Sequence, residues 1–279
     1  MKEIIDLVGS VIAPVTLITA LLFYFGLIRT AAFSHAFGLD PSLLDLSVTD
    51  YVLRSVGAIF WPMGMGLAIL LVALVVHIAV HTWTLSGDRK RRGWILGGVS
   101  IASGSILLGL TLVRSARGVG TSTAALITPI LFGVGTAFVA YGVYLARSAT
   151  PPKIDLPRRW RLLGRVVTIC FLLLACFWAI GAYAQIVGQR QAQRVASNLD
   201  LLPTVILHSE SDLGVQGPGV VVAVRSSKDM LYPYEYGGLY LLTRAADTFF
   251  LLPSGWSMDD GYTIAVKDTE SVRLDLDAA

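Results

Sequence analysis

Apolar residues fall along this chain in five long runs, followed by short β-branched or aromatic segments separated by turn residues. The runs cover about 7–28, 56–80, 94–113, 124–145 and 166–187, and none contains Asp, Glu, Lys or Arg. A helix rises about 1.5 Å per residue, so about 20 apolar residues cross the ~30 Å hydrocarbon core of a bilayer. Each run therefore predicts one spanning helix, and together they predict an all-α membrane bundle. Pro14, Pro62 and Pro129 fall inside or at the edge of these runs. Each removes a backbone donor and predicts a kink. The pairs Gly98/Ala102, Ser100/Gly104 and Gly133/Ala137 have the small-xxx-small spacing that lets helix backbones approach closely in lipid.

Between the first two runs, residues 29–55 hold their own helix signals. Asp40-Pro41 reads as an N-cap followed by a proline at the first helical position. Ser47 and Asp50 have the spacing of a capping box, with Asp in place of Glu or Gln. A short helix and then an early start to the second long helix are expected. After the fifth run a polar helical stretch, about 188–199, predicts a stalk. The remaining chain changes period. Segments 204–208, 219–225, 239–244, 248–252, 262–266 and 271–276 are β-branched or aromatic. Turn residues separate them, Gly217-Pro218, Gly237-Gly238, Pro253-Ser254-Gly255 and Asp259-Asp260-Gly261 among them, and Ala245-Ala246-Asp247 reads as a tight hairpin. The expected organisation is a five-helix transmembrane domain over 1–189, a linker over 190–202 and a small all-β domain over 203–279. Such a β domain is near the lower size limit for an independent core.

Composition agrees with this pattern. Of 279 residues, 54% are hydrophobic and 15% charged, and the mean hydropathy is +0.68. Soluble domains average about 25% charged residues, so a disordered chain, a coiled coil and an ordinary cytosolic enzyme are excluded. The charge is uneven. Residues 1–189 hold 15 basic and 7 acidic residues, and residues 190–279 hold 7 and 12. Cytoplasmic loops collect Lys and Arg. The loops after the second and fourth runs, together with Lys2, hold 11 basic residues, against 4 on the opposite side, namely Arg29, Arg54, Arg114 and Arg117. This predicts a cytoplasmic N-terminus and an extracytoplasmic β domain. Ser34-His35-Ala36 resembles a cleavage site, but the preceding run is too long for a signal peptide, and an uncleaved first span is expected. The basic residues form short loops, not a continuous patch, so no nucleic-acid partner is expected.

Candidate chemistry is sparse. Cys170 and Cys176 lie six apart in one apolar run and build no disulfide framework or zinc site. His77 and His81 are spaced i, i+4, which places both imidazoles on one helix face, as in zinc-binding helices, but the usual glutamate is replaced by Ile78. They are a weak metal candidate at most. Asp40, Asp45 and Asp50 recur every five residues, a spacing that fits no calcium loop. Tyr232, Tyr234 and Tyr236 alternate, so a strand puts them on one face, where they and Trp256 make a core or a ligand platform. No catalytic motif occurs, no enzymatic activity is expected and no cofactor is called for.

Two stretches carry a resemblance. One is Tyr24-Phe25-Gly26, Arg29-Thr30, Gly38-Leu39-Asp40, Ser42-Leu43, Ser47, Asp50-Tyr51 and Leu53-Arg54-Ser55. The other is Tyr234, Tyr236, Gly238-Leu239, Leu241-Leu242, Arg244, Phe249-Phe250-Leu251-Leu252-Pro253, Gly255-Trp256 and Ser271-Val272-Arg273. Together they resemble multi-pass membrane proteins of actinobacteria, Streptomyces among them, a group with no assigned activity. The resemblance implies a bacterial plasma membrane and carries over no functional residue. Both stretches fall on the outer side of the expected topology, where contact between them is expected. Asp40, Asp50, Tyr51, Arg54, Tyr234, Tyr236 and Trp256 are the candidates for interaction there. The expected function is presentation of the β domain for binding or accessory interactions. The alternative is an oligomeric channel or small permease capped by that domain. Besides the lipid bilayer, the expected partners are further copies of the chain or another membrane protein.

Overall fold

The structure is a computed structural model, and it describes residues 2–85, 89–117, 122–149, 157–225 and 231–277. Lys153, one of the basic loop residues, lies outside them. All five apolar runs are helices: α1 (Lys2–Ala36), α2 (Val48–Leu85), α3 (Arg89–Ala116), α4 (Ser122–Ala149) and α5 (Arg158–Ser197). Each extends beyond its run, and each contains a segment long and apolar enough to cross a membrane. The extensions are polar or basic turns that the apolar count does not register. α2 and α4 run through Pro62 and Pro129 without a break. The expected stalk forms the last turns of α5, which at 40 residues is about 60 Å long.

Among the described residues six strands follow: β1 (Thr204–Ser209), β2 (Val221–Val224), β3 (Tyr234–Ala245), β4 (Thr248–Pro253), β5 (Ile264–Lys267) and β6 (Val272–Asp277). They form one antiparallel sheet in the order β5-β4-β3-β1-β6, with β2 also paired to β3. The expected turn at Gly237-Gly238 is instead the interior of the 12-residue β3. Gly238 has φ +72°, and a Cβ there would collide with the carbonyl of Gly219. The glycine serves a close backbone approach within a strand, which a sequence signature does not separate from a turn.

The chain packs as two compact units, Met1–Ser55 with Ala184–Ala279, and Val56–Tyr183. This cuts across the linear division at residues 189 and 203. The reason lies in β4, where Thr-Phe-Phe-Leu-Leu-Pro is buried on both faces. Phe249 and Leu251 turn toward one core with Val205, Leu207, Tyr236, Leu239 and Val266. Phe250 and Leu252 turn the other way and meet residues from outside the sheet. Leu252 and Trp256 pack with Phe37, Ala192 and Leu199, and Phe250 and Ala245 pack with Leu39 and Leu44. The sheet's second face is thus closed by the segment after α1 and by the end of α5.

In the second unit α3 and α4 form a close antiparallel hairpin. Gly97 lies against the Gly142 carbonyl and Gly104 against that of Gly135, and the Ser100 hydroxyl donates to the Phe138 carbonyl at 2.8 Å. The seam on α3 is therefore Gly93, Gly97, Ser100 and Gly104, of which the sequence pair Ser100/Gly104 is a part. Gly98 and Ala102 are exposed instead. None of the side chains of Pro62–Trp83 described for α2 is buried, and Leu67 and Leu70 are about two-thirds exposed. An apolar surface of that extent is suited to lipid.

Candidate functional site

The segment after α1 is built turn by turn. α1 ends where Gly38, at φ +71°, takes the left-handed conformation, and the Leu39 amide bonds back to the Ser34 carbonyl at 3.0 Å. Asp40 then caps a 3-10 turn over Pro41–Leu44, accepting from the Ser42 amide at 2.8 Å. The Ser42 hydroxyl, and then this amide, hold the Asp40 carboxyl below its ordinary pKa. Ser47 and Asp50 make the reciprocal capping box. The Ser47 amide donates to Asp50 at 2.9 Å and the Asp50 amide to the Ser47 hydroxyl at 3.3 Å. The Ser47 hydroxyl also donates to the Asp50 carboxylate, whose pKa is lowered by these bonds.

The other sequence candidates fall within this unit. Tyr51 is buried and meets Phe23 edge-on, with Gly26 of α1 against its carbonyl. The Arg54 side chain is exposed, while its carbonyl accepts from Arg29, whose guanidinium also donates to Gln191 of α5 at 2.8 Å. Trp256 is 6% exposed and meets Phe37 at 5.0 Å with the rings tilted by 33°. The Thr263 hydroxyl donates to the Phe37 carbonyl at 2.6 Å. Tyr236 is fully buried. Its hydroxyl donates to the Asp212 carboxylate at 2.7 Å and accepts from the Leu213 amide at 2.8 Å. Burial, then the hydrogen bond to Asp212, raises the Tyr236 pKa. The Gly214 amide and the Tyr236 hydroxyl lower that of Asp212. Tyr234 is partly buried beside the same core, and Tyr232 donates to the Glu270 carbonyl from outside the strand. Tyr236 and Trp256 thus form core and joint, not an open platform. Exposed apolar residues of the sheet are Val221, Val222 and Val224 on β2, with Ile206 on β1 and Leu276 on β6.

His77 meets tyrosines: its Nδ1 is 3.2 Å from the Tyr141 hydroxyl, and its ring lies 5.8 Å from that of Tyr144. The rings of His77 and His81 are 6.2 Å apart, and no third ligand joins them among the described residues.

A second feature went unmarked in the sequence. A groove of about 840 Å³ runs between α4 and α5. Phe132, Val139, Val143 and Phe171 line its apolar length, and Arg147, Trp160, Arg161 and Arg165 line its polar end. Its signal is a basic cluster just outside the predicted span ends at 145 and 166, which reads as a loop until the two helices are placed together.

No family model matches the sequence, and the comparison with curated proteins and with solved structures gives no match.

Proposed function

We propose that this chain is a multi-pass plasma-membrane protein presenting an extracytoplasmic β module for binding or accessory interactions. The observation that carries the reading is the closure of the sheet by the segment after α1, seen in Phe37 on Trp256 and in Leu39 and Leu44 on Phe250. Segments that fold together share one side of a bilayer. Between the end of α1 and the end of α5 lie four helices able to cross, an even number, which returns the chain to the same side. The loop charge then assigns that side to the exterior. The module is the sheet together with residues 37–55, and its exposed β2 valines are the surface offered to a partner.

Single cysteines test the threading in a background lacking Cys170 and Cys176. Ser211 lies exposed in the module and Ser148 exposed near the end of α4. Intact cells treated with a membrane-impermeant thiol reagent should label S211C and spare S148C until permeabilised. The reverse pattern would make the module cytosolic. Ion conductance of the purified chain in liposomes would turn the assignment toward a channel.

A further inference from the structure

We propose that the groove between α4 and α5 holds one anionic phospholipid, its phosphate at the arginine end and an acyl chain along the apolar length. This goes beyond the β module and uses only the membrane placement of the helices. The charge is one-sided. Residues 56–183 contain 12 Lys and Arg against Asp88 and Asp155 alone, and no carboxylate is among the described residues that line the groove. Arg161 and Arg165 stand one helical turn apart on α5, and Arg147 faces the same groove from α4. Guanidinium groups bind phosphate oxygens as planar, multiply donating forks. Ser148 and Thr168 add hydroxyls to the lining. Trp160, about half exposed, sits at this end, as interfacial tryptophans do.

The dimensions suit a lipid. From Arg161 to Phe171 α5 rises about 15 Å, half the ~30 Å hydrocarbon core. The groove therefore runs the depth of one leaflet, with its charge at headgroup level. Its volume lies within the ~300–1,000 Å³ of small-ligand sites. Basic pockets between spanning helices on the cytoplasmic side take anionic headgroups by the same physics. Gly164 lines the groove between Arg161 and Arg165 in sequence, and a Cβ there meets nothing within 4 Å. The glycine leaves room that a larger residue would fill.

The test uses the full chain purified in a mild nonionic detergent, with dioleoylphosphatidylglycerol and dioleoylphosphatidylcholine as probes. Binding is read by native mass spectrometry and by the lipid-induced rise in melting temperature. The phosphatidylglycerol should bind about ten-fold or more tightly than the choline lipid. The double variant Arg147→Gln/Arg165→Gln should lose that preference, while Arg117→Gln, outside the groove, keeps it. Gly164→Leu, which leaves the charge unchanged and favours helix, should also lose it with helix content intact by circular dichroism. Equal binding of the two lipids, or undiminished preference in Gly164→Leu, would overturn the proposal. Displacement of bound lipid by millimolar inorganic phosphate would overturn it too, in favour of a free-anion site. Whether the chain leaves cell membranes only with detergent reports separately on the membrane placement.

Discussion

Tyr236 shows how one side chain ties a strand to the loop beside it. Its hydroxyl satisfies the Leu213 amide and donates to Asp212, so Tyr236→Phe strands a backbone donor at no cost in apolar volume. A loss of about 1–2 kcal/mol is expected, read as faster hydrogen exchange at Leu213 and along β3. The pH dependence has two limbs. The raised Tyr236 pKa contributes stability that is present below about pH 10 and lost as pH rises through the folded-state value. The lowered Asp212 pKa contributes stability that is present above about pH 4 and lost as pH falls through the folded-state value. Tyr236→Phe should abolish the alkaline contribution and shrink the acid one, because the Gly214 amide still binds Asp212. Gly238 is the backbone counterpart. Gly238→Ala forces a left-handed alanine against the Gly219 carbonyl, and a cost of about 2 kcal/mol or more is expected. Protection lost where β2 and β4 meet β3 would report it.

At the scale of elements, the α3–α4 hairpin is specified by what is missing from its seam. Gly97, Gly104, Gly135 and Gly142 bring backbone against backbone, and Ser100 adds a hydrogen bond across the gap. In lipid no hydrophobic force would drive helices together, and there close van der Waals packing of small residues would carry the pair. Gly104→Leu places a side chain where a Cβ already crowds the Gly135 carbonyl and Val139. The pair should separate at a cost of about 1–3 kcal/mol. A cysteine crosslink between α3 and α4 would lose efficiency in that variant, and one that formed as before would refute the seam. Gly98→Leu is the control, because a Cβ there meets nothing within 4 Å.

At the scale of the whole chain, the sheet does not close its own second face. Phe37, 2% exposed, fills the space beside Trp256 from a segment that precedes every strand. Phe37→Ala should cost about 3–5 kcal/mol, and exchange should quicken at β4 and in the 3-10 turn over Pro41–Leu44 together, because β4 packs against both through Leu252 and Phe250. A sheet that kept its protection would mean that the strands stand alone.

The local elements were legible in the residues themselves. Apolar runs without charges give the five helices, Asp40-Pro41 and Ser47/Asp50 give the caps of the 3-10 turn and of α2, and β-branched or aromatic segments between turn residues give the strands, because each depends on chain geometry within a few positions. The metal pair and the tyrosine platform were open questions that spacing left undecided. Their surroundings come from other elements: tyrosines around His77, and Asp212 and Phe37 around Tyr236 and Trp256. Gly237-Gly238 reads as a turn because glycine marks both turns and close approaches, and only the position of Gly219 tells which applies. The α4–α5 groove likewise exists only once two helices stand side by side. The sequence by itself thus determined which segments are helix and strand and which faces of them are apolar. The tertiary structure decided which apolar face covers which, because burial is a property of pairs of surfaces and the Phe-Phe-Leu-Leu run of β4 names no partner for its second face.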